Sequence, residues 1–166
     1  MSHKENDGFI VTDKVLIDNI EICDLIKFEE GKVFLYHVKK GLGRDLRVLA
    51  NQVINASRLV FNAVNEEDAS ILKLYYKRIS DKYFSGNDLS YKNGSNQNNL
   101  SESRFITILK ESEIVFVFSY SSIKTNLITE EFIETNSRVA KLSFIYCVRD
   151  MLRGNNQFLI ERIKES

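Results

Sequence analysis

This chain of 166 residues lacks several features that would assign a function directly. It has no proline and no tryptophan, to which we attach no mechanistic weight, and its net charge is +0. Without a charge excess there is no global attraction to nucleic acid or anionic membrane, so any polyanion site has to come from local clustering. The longest apolar run, Ile114 to Phe118, is far too short to span a bilayer, and the polar N-terminus is unlike a signal peptide. We therefore expect a cytoplasmic protein with no membrane association.

Motifs of common enzyme classes are missing as well. Cys23 and Cys147 are too few and too far apart for a zinc site of the CxxC type, and we expect both to be buried free thiols in a reducing cytosol. No serine or cysteine stands in a pattern typical of a nucleophile paired with histidine. Gly41 and Gly43 are not followed by the lysine and hydroxyl residue of a phosphate-binding loop. Any chemistry has to come from a less regular set of residues.

The first half of the chain predicts a hairpin followed by two helices. Ile20 to Phe28 and Lys32 to Lys39 are rich in β-branched and aromatic residues, and the short link between them predicts an antiparallel pair. A helix is predicted from Arg44 or Asp45 to Val64, because apolar residues recur there every three or four positions. A second helix is predicted over Glu66 to Tyr83, with an acidic first turn.

The second half predicts further strands and one more helix around a polar insertion. Residues 85–103 predict a flexible Asn/Ser-rich loop, and Arg104 to Leu109 and Ile114 to Tyr120 predict strands. Thr135 to Leu152 predicts a helix, followed by a strand or short helix over Gln157 to Ile163. The predicted core stripe of that helix is Val139, Leu142, Ile145, Tyr146 and Met151. Together these elements predict a single α/β domain spanning 1–166, with a mixed sheet whose central antiparallel hairpin is flanked by helices.

Polar residues at the end of the predicted hairpin are the best candidates for a site. In a strand, alternate side chains share a face, so His37 and Lys39 point the same way. Glu21 and Asp24 cannot share a face of an ideal strand, but a bulge or strand end near Asp24 would relax this constraint. If the turn centres on residues 29–30, the Asp24 region pairs with Phe34 to His37. The acid and the basic pair would then meet at one edge of the sheet.

This arrangement resembles the core of the PD-(D/E)XK phosphodiesterases, the restriction-endonuclease-like fold. The resemblance implies that Asp24, with Glu21, holds a divalent metal such as Mg²⁺ or Mn²⁺, and that Lys39 stabilises charge on the phosphate. It also implies that Gln52, on the following helix, positions water or backbone. The departure is His37, which stands where the family has an acid and which is a poor Mg²⁺ ligand. We expect His37 to act as a further ligand or as a base.

A second resemblance covers more of the chain. The segments "IEICDLI", "KVFLYHVKKG" and "ANQVINAS" are similar to the C-terminal part of an uncharacterised, sporadically distributed bacterial family with "EVCDL", "HVKR" and "LSHLF-Q-G-S" signatures. Members of that family often lie among mobile or defence genes. The resemblance implies that His-x-Lys is the pattern of the family, but it implies no activity.

Two functions remain open at this stage. One is nucleic-acid processing in a bacterial defence or mobile-element system by metal-dependent phosphodiester hydrolysis, with Asp24, His37, Lys39 and Gln52 as catalytic residues. The alternative is a degenerate nuclease-like module that binds nucleic acid or a partner protein, as a homodimer or with a defence-system partner. Convergence of Asp24, His37 and Lys39 in a cleft would favour catalysis, whereas an apolar environment around His37 would favour binding. In either case, the cluster Lys40, Arg44 and Arg47 is the candidate nucleic-acid surface.

Overall fold

The computed structural model of the protein describes residues 8–41, 45–93, 96–125, 127–134, 137–154 and 156–164. Within these ranges five strands come first, and helices and further strands follow. The strands are β1 (Phe9–Val11), β2 (Leu16–Ile17), β3 (Ile20–Glu21), β4 (Leu25–Glu29), β5 (Lys32–Lys40), β6 (Leu89–Asn93), β7 (Asn96–Leu100), β8 (Glu113–Ser122) and β9 (Gln157–Lys164). The helices are α1 (Asp45–Asn65), α2 (Ser70–Tyr83), α3 (Glu102–Glu111), α4 (Ile128–Glu134) and α5 (Arg138–Arg153).

The main sheet contains five strands in the order β1-β4-β5-β8-β9. β4 is antiparallel to both β1 and β5, whereas β5, β8 and β9 run parallel to one another. Because parallel strands point the same way, these three strands end together at one edge of the sheet, which we call the carboxyl edge. The predicted α/β class and the mixed sheet built around the antiparallel β4–β5 hairpin are confirmed.

The hairpin has the predicted register, but its first strand is interrupted. Leu25 lies opposite Tyr36, and the backbone N–H of Asp24 donates to the carbonyl oxygen of Tyr36 at 2.8 Å. The strand predicted over Ile20 to Phe28 is divided into β3 and β4, with residues 22–24 between them outside any strand. β3 turns away to pair with β2. The interruption is the strand end that frees Glu21 and Asp24 from strict alternation.

The first helix is confirmed and the second begins later than predicted. The side chains that α1 buries recur at helical spacing: Leu46, Leu49, Val53, Ala56 and Val60. The acidic residues ahead of α2 precede the helix and do not form its first turn. The carboxylate of Glu66 accepts hydrogen bonds from the hydroxyl of Ser70 and the backbone N–H of Ile71, and Asp68 accepts one from the backbone of Ser70. These acids therefore satisfy donors at the start of α2 from outside it.

Two predictions for the middle of the chain are wrong. The Asn/Ser-rich segment, predicted to be a flexible loop over 85–103, contains the paired strands β6 and β7. Arg104 to Leu109, predicted to be a strand, belongs to helix α3, whose start is capped by the hydroxyl of Ser101. Phe105 and Leu109 are buried four residues apart, so the helical spacing prevails over the apparent alternation.

The helices pack on one face of the main sheet. Rings of α3, α4 and α5 contact Phe28 and Phe118, and these two residues belong to the same face as Val33 and His37. The opposite face carries one apolar row that crosses all five strands at successive register positions. That row is Val11, Leu25, Tyr36, Val117 and Leu159. Among the described residues, no helix is long and apolar enough to cross a membrane.

Helix α5 is present as predicted, but it packs through a different stripe. The residues that α5 buries are Ala140, Cys147 and Met151. Of the predicted core stripe only Met151 is buried, whereas Val139, Leu142, Ile145 and Tyr146 are between 43% and 60% exposed. Apolar residues occur on two sides of this helix, so periodicity alone does not determine which side faces the core. Cys147 and Cys23 are both buried free thiols, as predicted.

A buried ionic cluster attaches α4 to the carboxyl edge of the sheet. The side chain of Glu131 is 5% exposed and accepts hydrogen bonds from the hydroxyls of Tyr120 at 3.0 Å and Ser122 at 2.6 Å. It also pairs with the guanidinium of Arg162 at 3.3 Å. Burial alone would raise the pKa of Glu131, but the three donors outweigh it and hold this pKa below its usual value. The cluster therefore stabilises the fold only while Glu131 is ionised.

We expect Glu131→Gln to destabilise the protein by about 3 kcal/mol near neutral pH, because Arg162 loses a buried partner. A lowered pKa in the folded state contributes stability above the unfolded value, near 4.5, that is lost as the pH falls through the folded value. Urea denaturation from about pH 7 to about pH 3 should therefore show a steeper loss of stability in the unmodified protein than in Glu131→Gln. Parallel curves would contradict this assignment.

Candidate functional site

Two chain segments bring acidic residues to the start of the hairpin. Asp13 lies in the turn between β1 and β2, where the backbone N–H of Val15 donates to the carbonyl oxygen of Thr12. Asp24 ends the interruption between β3 and β4. The backbone N–H of Thr12 donates to the carbonyl oxygen of Asp24 at 2.8 Å. Because Thr12 immediately precedes Asp13, this backbone hydrogen bond holds the two acidic residues near each other.

A buried hydrogen-bonded contact holds both segments against the core. Thr12 and Cys23 are each 0% exposed, and Tyr75 on α2 is 1% exposed. The hydroxyl of Thr12 donates to the carbonyl oxygen of Cys23 at 2.8 Å and lies 3.3 Å from its sulfur, which is 3.5 Å from the hydroxyl of Tyr75. Burial raises the pKa of the Cys23 thiol to about 12, so this thiol is not a nucleophile at ordinary pH. Its role is to fix the neighbouring residues.

Three carboxylates converge above this contact. One oxygen each from Asp13, Glu21 and Asp24 can be chosen so that all three lie within 4.8 Å of one another. Burial is the main cause that raises the pKa of Asp24 to about 6, and the neighbouring Glu21 adds to it. The hydrogen bond from the backbone of Val38 and the charge of Lys39 act in the opposite direction. Like charges held this close favour a compensating cation.

The donor set fits a hard divalent cation. Mg²⁺ and Mn²⁺ prefer oxygen ligands, and Mg²⁺ in proteins is commonly held by one or two carboxylates together with water and substrate phosphate. Asp13, Glu21 and Asp24 offer carboxylate oxygens only. Cys23 lies beside them in the chain, but its thiol is buried in contact with Thr12 and Tyr75. The three carboxylates therefore suit Mg²⁺ or Mn²⁺ better than a softer metal.

Two residues that the sequence singled out, Lys39 and Gln52, lie beside the acidic cluster. The side-chain amide of Gln52, on α1, donates to a carboxylate oxygen of Glu21 at 3.4 Å. The backbone N–H of Val38 donates to a carboxylate oxygen of Asp24 at 2.6 Å, which holds that acid beside the end of β5. Lys39 follows immediately in the chain, and its charge acts on Asp24. The structure thus brings together Glu21, Asp24, Lys39 and Gln52.

His37 occupies a different environment. It is 2% exposed and lies on the core face of β5, in register with Phe118. Burial, and then the charge of Lys39, lower the pKa of His37 to about 4, so the ring is neutral at ordinary pH. Its Nε2 has no hydrogen-bond partner among the described residues. His37 therefore meets the condition that favours the binding alternative, and the convergence of Asp24 with both His37 and Lys39 that would favour catalysis is not met, because the cluster of ligand atoms does not include His37.

The predicted nucleic-acid surface is described only in part. Lys40 is exposed at the carboxyl edge, and Arg47 is exposed on the first turns of α1. Arg44 lies outside the described residues. Lys40 follows Lys39, whose charge acts on Asp24, and Arg47 lies on the same helix as Gln52, which contacts Glu21. The two cations therefore belong to the elements that border the acidic cluster, β5 and α1.

Asp13 is the site residue that the sequence did not predict. It stands in a polar turn after a short strand, and nothing in its spacing relative to Asp24 indicates proximity. The contact arises because β1 pairs antiparallel with β4, which brings the end of one strand to the beginning of the other. Only the pairing of these strands would have indicated it. Comparisons with protein-family models, curated proteins and solved structures found no match to this chain.

We expect Asp24→Asn to stabilise the protein in the absence of divalent metal. The substitution removes a half-buried charge that is close to Glu21, while the amide oxygen can still accept the hydrogen bond from Val38. The free energy of unfolding should rise by on the order of 1 kcal/mol near pH 8 in a chelating buffer. Urea denaturation measures the change. A loss of stability would show that the carboxylate of Asp24 serves the fold and not a ligand.

Proposed function

We propose that the protein hydrolyses phosphodiester bonds of nucleic acid with the help of a divalent metal. The observation that carries the proposal is the convergence of Asp13, Glu21 and Asp24 beside Lys39. Hydrolysis of a phosphodiester requires neutralisation of negative charge and an activated water. A carboxylate cluster with an adjacent lysine is suited to both needs.

The order of the residues supports the finer assignment to a restriction-endonuclease-like core, which is part of this proposal. Asp24 stands at the start of one strand of an antiparallel hairpin, and Lys39 stands near the end of the next strand. Gln52 lies on the helix that follows. This is the succession that the resemblance to the PD-(D/E)XK enzymes implies. The bacterial defence or mobile-element setting rests on sequence resemblance alone.

Each residue of the site has a distinct proposed role. Asp24 and Glu21, joined by Asp13, would hold a divalent ion, and such an ion would polarise the phosphate and lower the pKa of water. Gln52 positions Glu21 through its side-chain hydrogen bond. The ammonium of Lys39 stabilises negative charge that develops on the phosphate. Lys40 and Arg47 bind the phosphate backbone on the β5–α1 side of the site.

His37 is assigned a supporting role in this proposal. A buried neutral imidazole next to Lys39 in the chain cannot exchange freely with water, so it is poorly placed to act as a base. Instead it packs on the core face of β5 and shapes the strand end that carries Lys39. His37 is also not among the residues whose ligand atoms converge, so a role as a metal ligand is not part of this proposal.

A non-catalytic module is the second candidate, and the burial of His37 favours it. In that case the acidic cluster would be a remnant, and the surface would bind nucleic acid or a partner protein without cleaving it. The two candidates differ in metal affinity. Titration calorimetry with Mn²⁺ should give measurable binding that is lost in Asp24→Asn if the protein is an enzyme, and no binding if it is a degenerate module.

We expect the protein to cleave nucleic acid in Mg²⁺ or Mn²⁺ and to lose this activity in Asp24→Ala and in Lys39→Ala. Each loss should be about 100-fold or more, because each substitution removes charge stabilisation at the phosphate or the metal. The assay uses single- and double-stranded DNA and RNA, with chelator as the blank. Circular dichroism should show an unchanged fold in both variants.

Lys32→Ala is a matched control for Lys39→Ala. Lys32 begins the same strand, is exposed, and pairs with Glu113 at the opposite end of β5. Its replacement should leave cleavage unchanged. Equal cleavage by Asp24→Ala, Lys39→Ala and the unmodified protein would reject the proposed site.

A further inference from the structure

A small basic cleft lies next to the acidic cluster. It is lined by Lys14, Val15 and Leu16 of the β1–β2 turn and by Arg78 and Lys82 of α2. We propose that this cleft binds a backbone phosphate of the nucleic-acid strand next to the phosphate being cleaved. The inference rests on the proposed function, because it assigns the substrate path of that same site.

The cleft is joined to the acidic cluster by direct contacts. The backbone N–H of Lys14 donates to a carboxylate oxygen of Glu21. The ammonium of Lys82 donates to the carbonyl oxygen of Asp13 at 2.6 Å. The guanidinium of Arg78 donates to the carbonyl oxygen of Leu16. These contacts hold the three cations against the chain segment that carries Asp13 and beside Glu21, two of the residues that would bind the metal.

These cations lack anionic partners within the described parts of the chain. Lys27, Lys32 and Lys124 each pair with a glutamate, whereas Lys14, Arg78 and Lys82 form no salt bridge there. All three are exposed, so their charge is accessible to a ligand. The net charge of the whole chain is +0, so this concentration of positive charge is local. Exposed cations grouped at an anion-processing site favour binding of phosphate.

The backbone of the turn gives a further indication. Lys14 has a φ of +57°, which lies in the left-handed region that a lysine seldom adopts. This conformation directs the chain around Asp13 so that the neighbouring Lys14 faces α2. Strained conformations of this kind cluster at functional sites. The turn therefore presents a carboxylate to the metal site and an ammonium to the cleft from two successive residues.

The cleft and the predicted surface belong to different elements around the acidic cluster: Arg78 and Lys82 lie on α2, Lys40 on β5 and Arg47 on α1. A strand bound by both groups of cations would pass the cluster at Asp24, where the scissile phosphate would lie. Lys73 and Lys77, also on α2, are exposed and add positive charge to this helix, which carries one acid, Asp81.

A purely structural role for these cations makes a different prediction. Arg78 and Lys82 both donate to backbone carbonyls, so they could serve only to hold the turn in place. Glutamine at either position keeps a side-chain donor but removes the charge. A structural role therefore predicts lowered stability with unchanged salt dependence of binding. A phosphate-binding role predicts weaker binding with reduced salt dependence.

The test is fluorescence anisotropy of a labelled single-stranded oligonucleotide, titrated with the full chain in chelator so that no cleavage occurs. The double variant Arg78→Gln/Lys82→Gln should bind about 10-fold more weakly at 0.1 M salt. The slope of log affinity against log salt should become shallower by about 0.7, the value for one lost phosphate contact on a single strand. Thermal denaturation of the variant checks the fold.

Lys110→Gln is the matched control. Lys110 ends α3 near the amino end of β5, and its ammonium also donates to a backbone carbonyl, that of Glu66. Its replacement removes one positive charge and one hydrogen bond of the same kind, at a position away from the cleft. Affinity and slope should therefore equal those of the unmodified protein.

Several outcomes would overturn the inference. These are an unchanged slope in the double variant, no oligonucleotide binding by the unmodified protein, or binding abolished by millimolar inorganic phosphate at constant ionic strength. The last outcome would assign the cleft to a free anion. Failure of the proposed hydrolysis is distinguishable, because a protein without nuclease activity whose binding still depends on Arg78 and Lys82 retains the cleft as a binding site.

Discussion

The buried contact between Thr12 and Cys23 is the constraint on which the arrangement of the site depends. It joins the end of β1 to the interruption between β3 and β4, and Tyr75 anchors it to α2. Asp13 and Asp24 each follow one of these two residues in the chain, so the core determines the distance between the two carboxylates. Ligand groups placed by buried neighbours in this way keep their geometry without help from the ligand.

The same arrangement carries an electrostatic cost. Asp24 is half-buried close to Glu21, and both burial and the like charge raise its pKa. A fold under selection for stability alone would replace such an acid with a neutral residue, since unpaired half-buried charge is unfavourable. The nearby cations divide into two kinds. Lys39 offsets part of the charge, while Lys14 and Lys82 are exposed and the ammonium of Lys82 donates to the backbone of Asp13. This distribution is typical of a site that holds positive metal and negative phosphate together.

The sequence predicted the hairpin, α1 and β8 because their signals are local and unambiguous. β5 and β8 are continuous apolar runs, and α1 repeats its apolar residues over several turns. The failures have a common cause. Arg104 to Leu109 fits both an alternating and a helical pattern, and only the capping by Ser101 and the packing of Phe105 decide between them. Helix α5 is apolar on two sides, so its buried side depends on where α1 and the sheet lie. Tertiary packing resolved each ambiguity.

Within the site, the alternation of side chains along a strand and the hairpin register predict proximity only between residues that are near each other in the chain. Asp24 and Lys39 were candidates because of the hairpin register, and Gln52 was a candidate because of the resemblance to the PD-(D/E)XK core. Asp13 escaped prediction because its contact depends on the pairing of β1 with β4, and the basic cleft depends on where α2 meets the β1–β2 turn. The environment of His37 could not be predicted from the sequence either. The alternation of side chains indicates which face of the strand His37 lies on, but not what covers that face. The helices cover the face of His37. An imidazole in that position is removed from solvent, whereas Lys39, two residues nearer the end of the same strand, is only half-buried beside the acids.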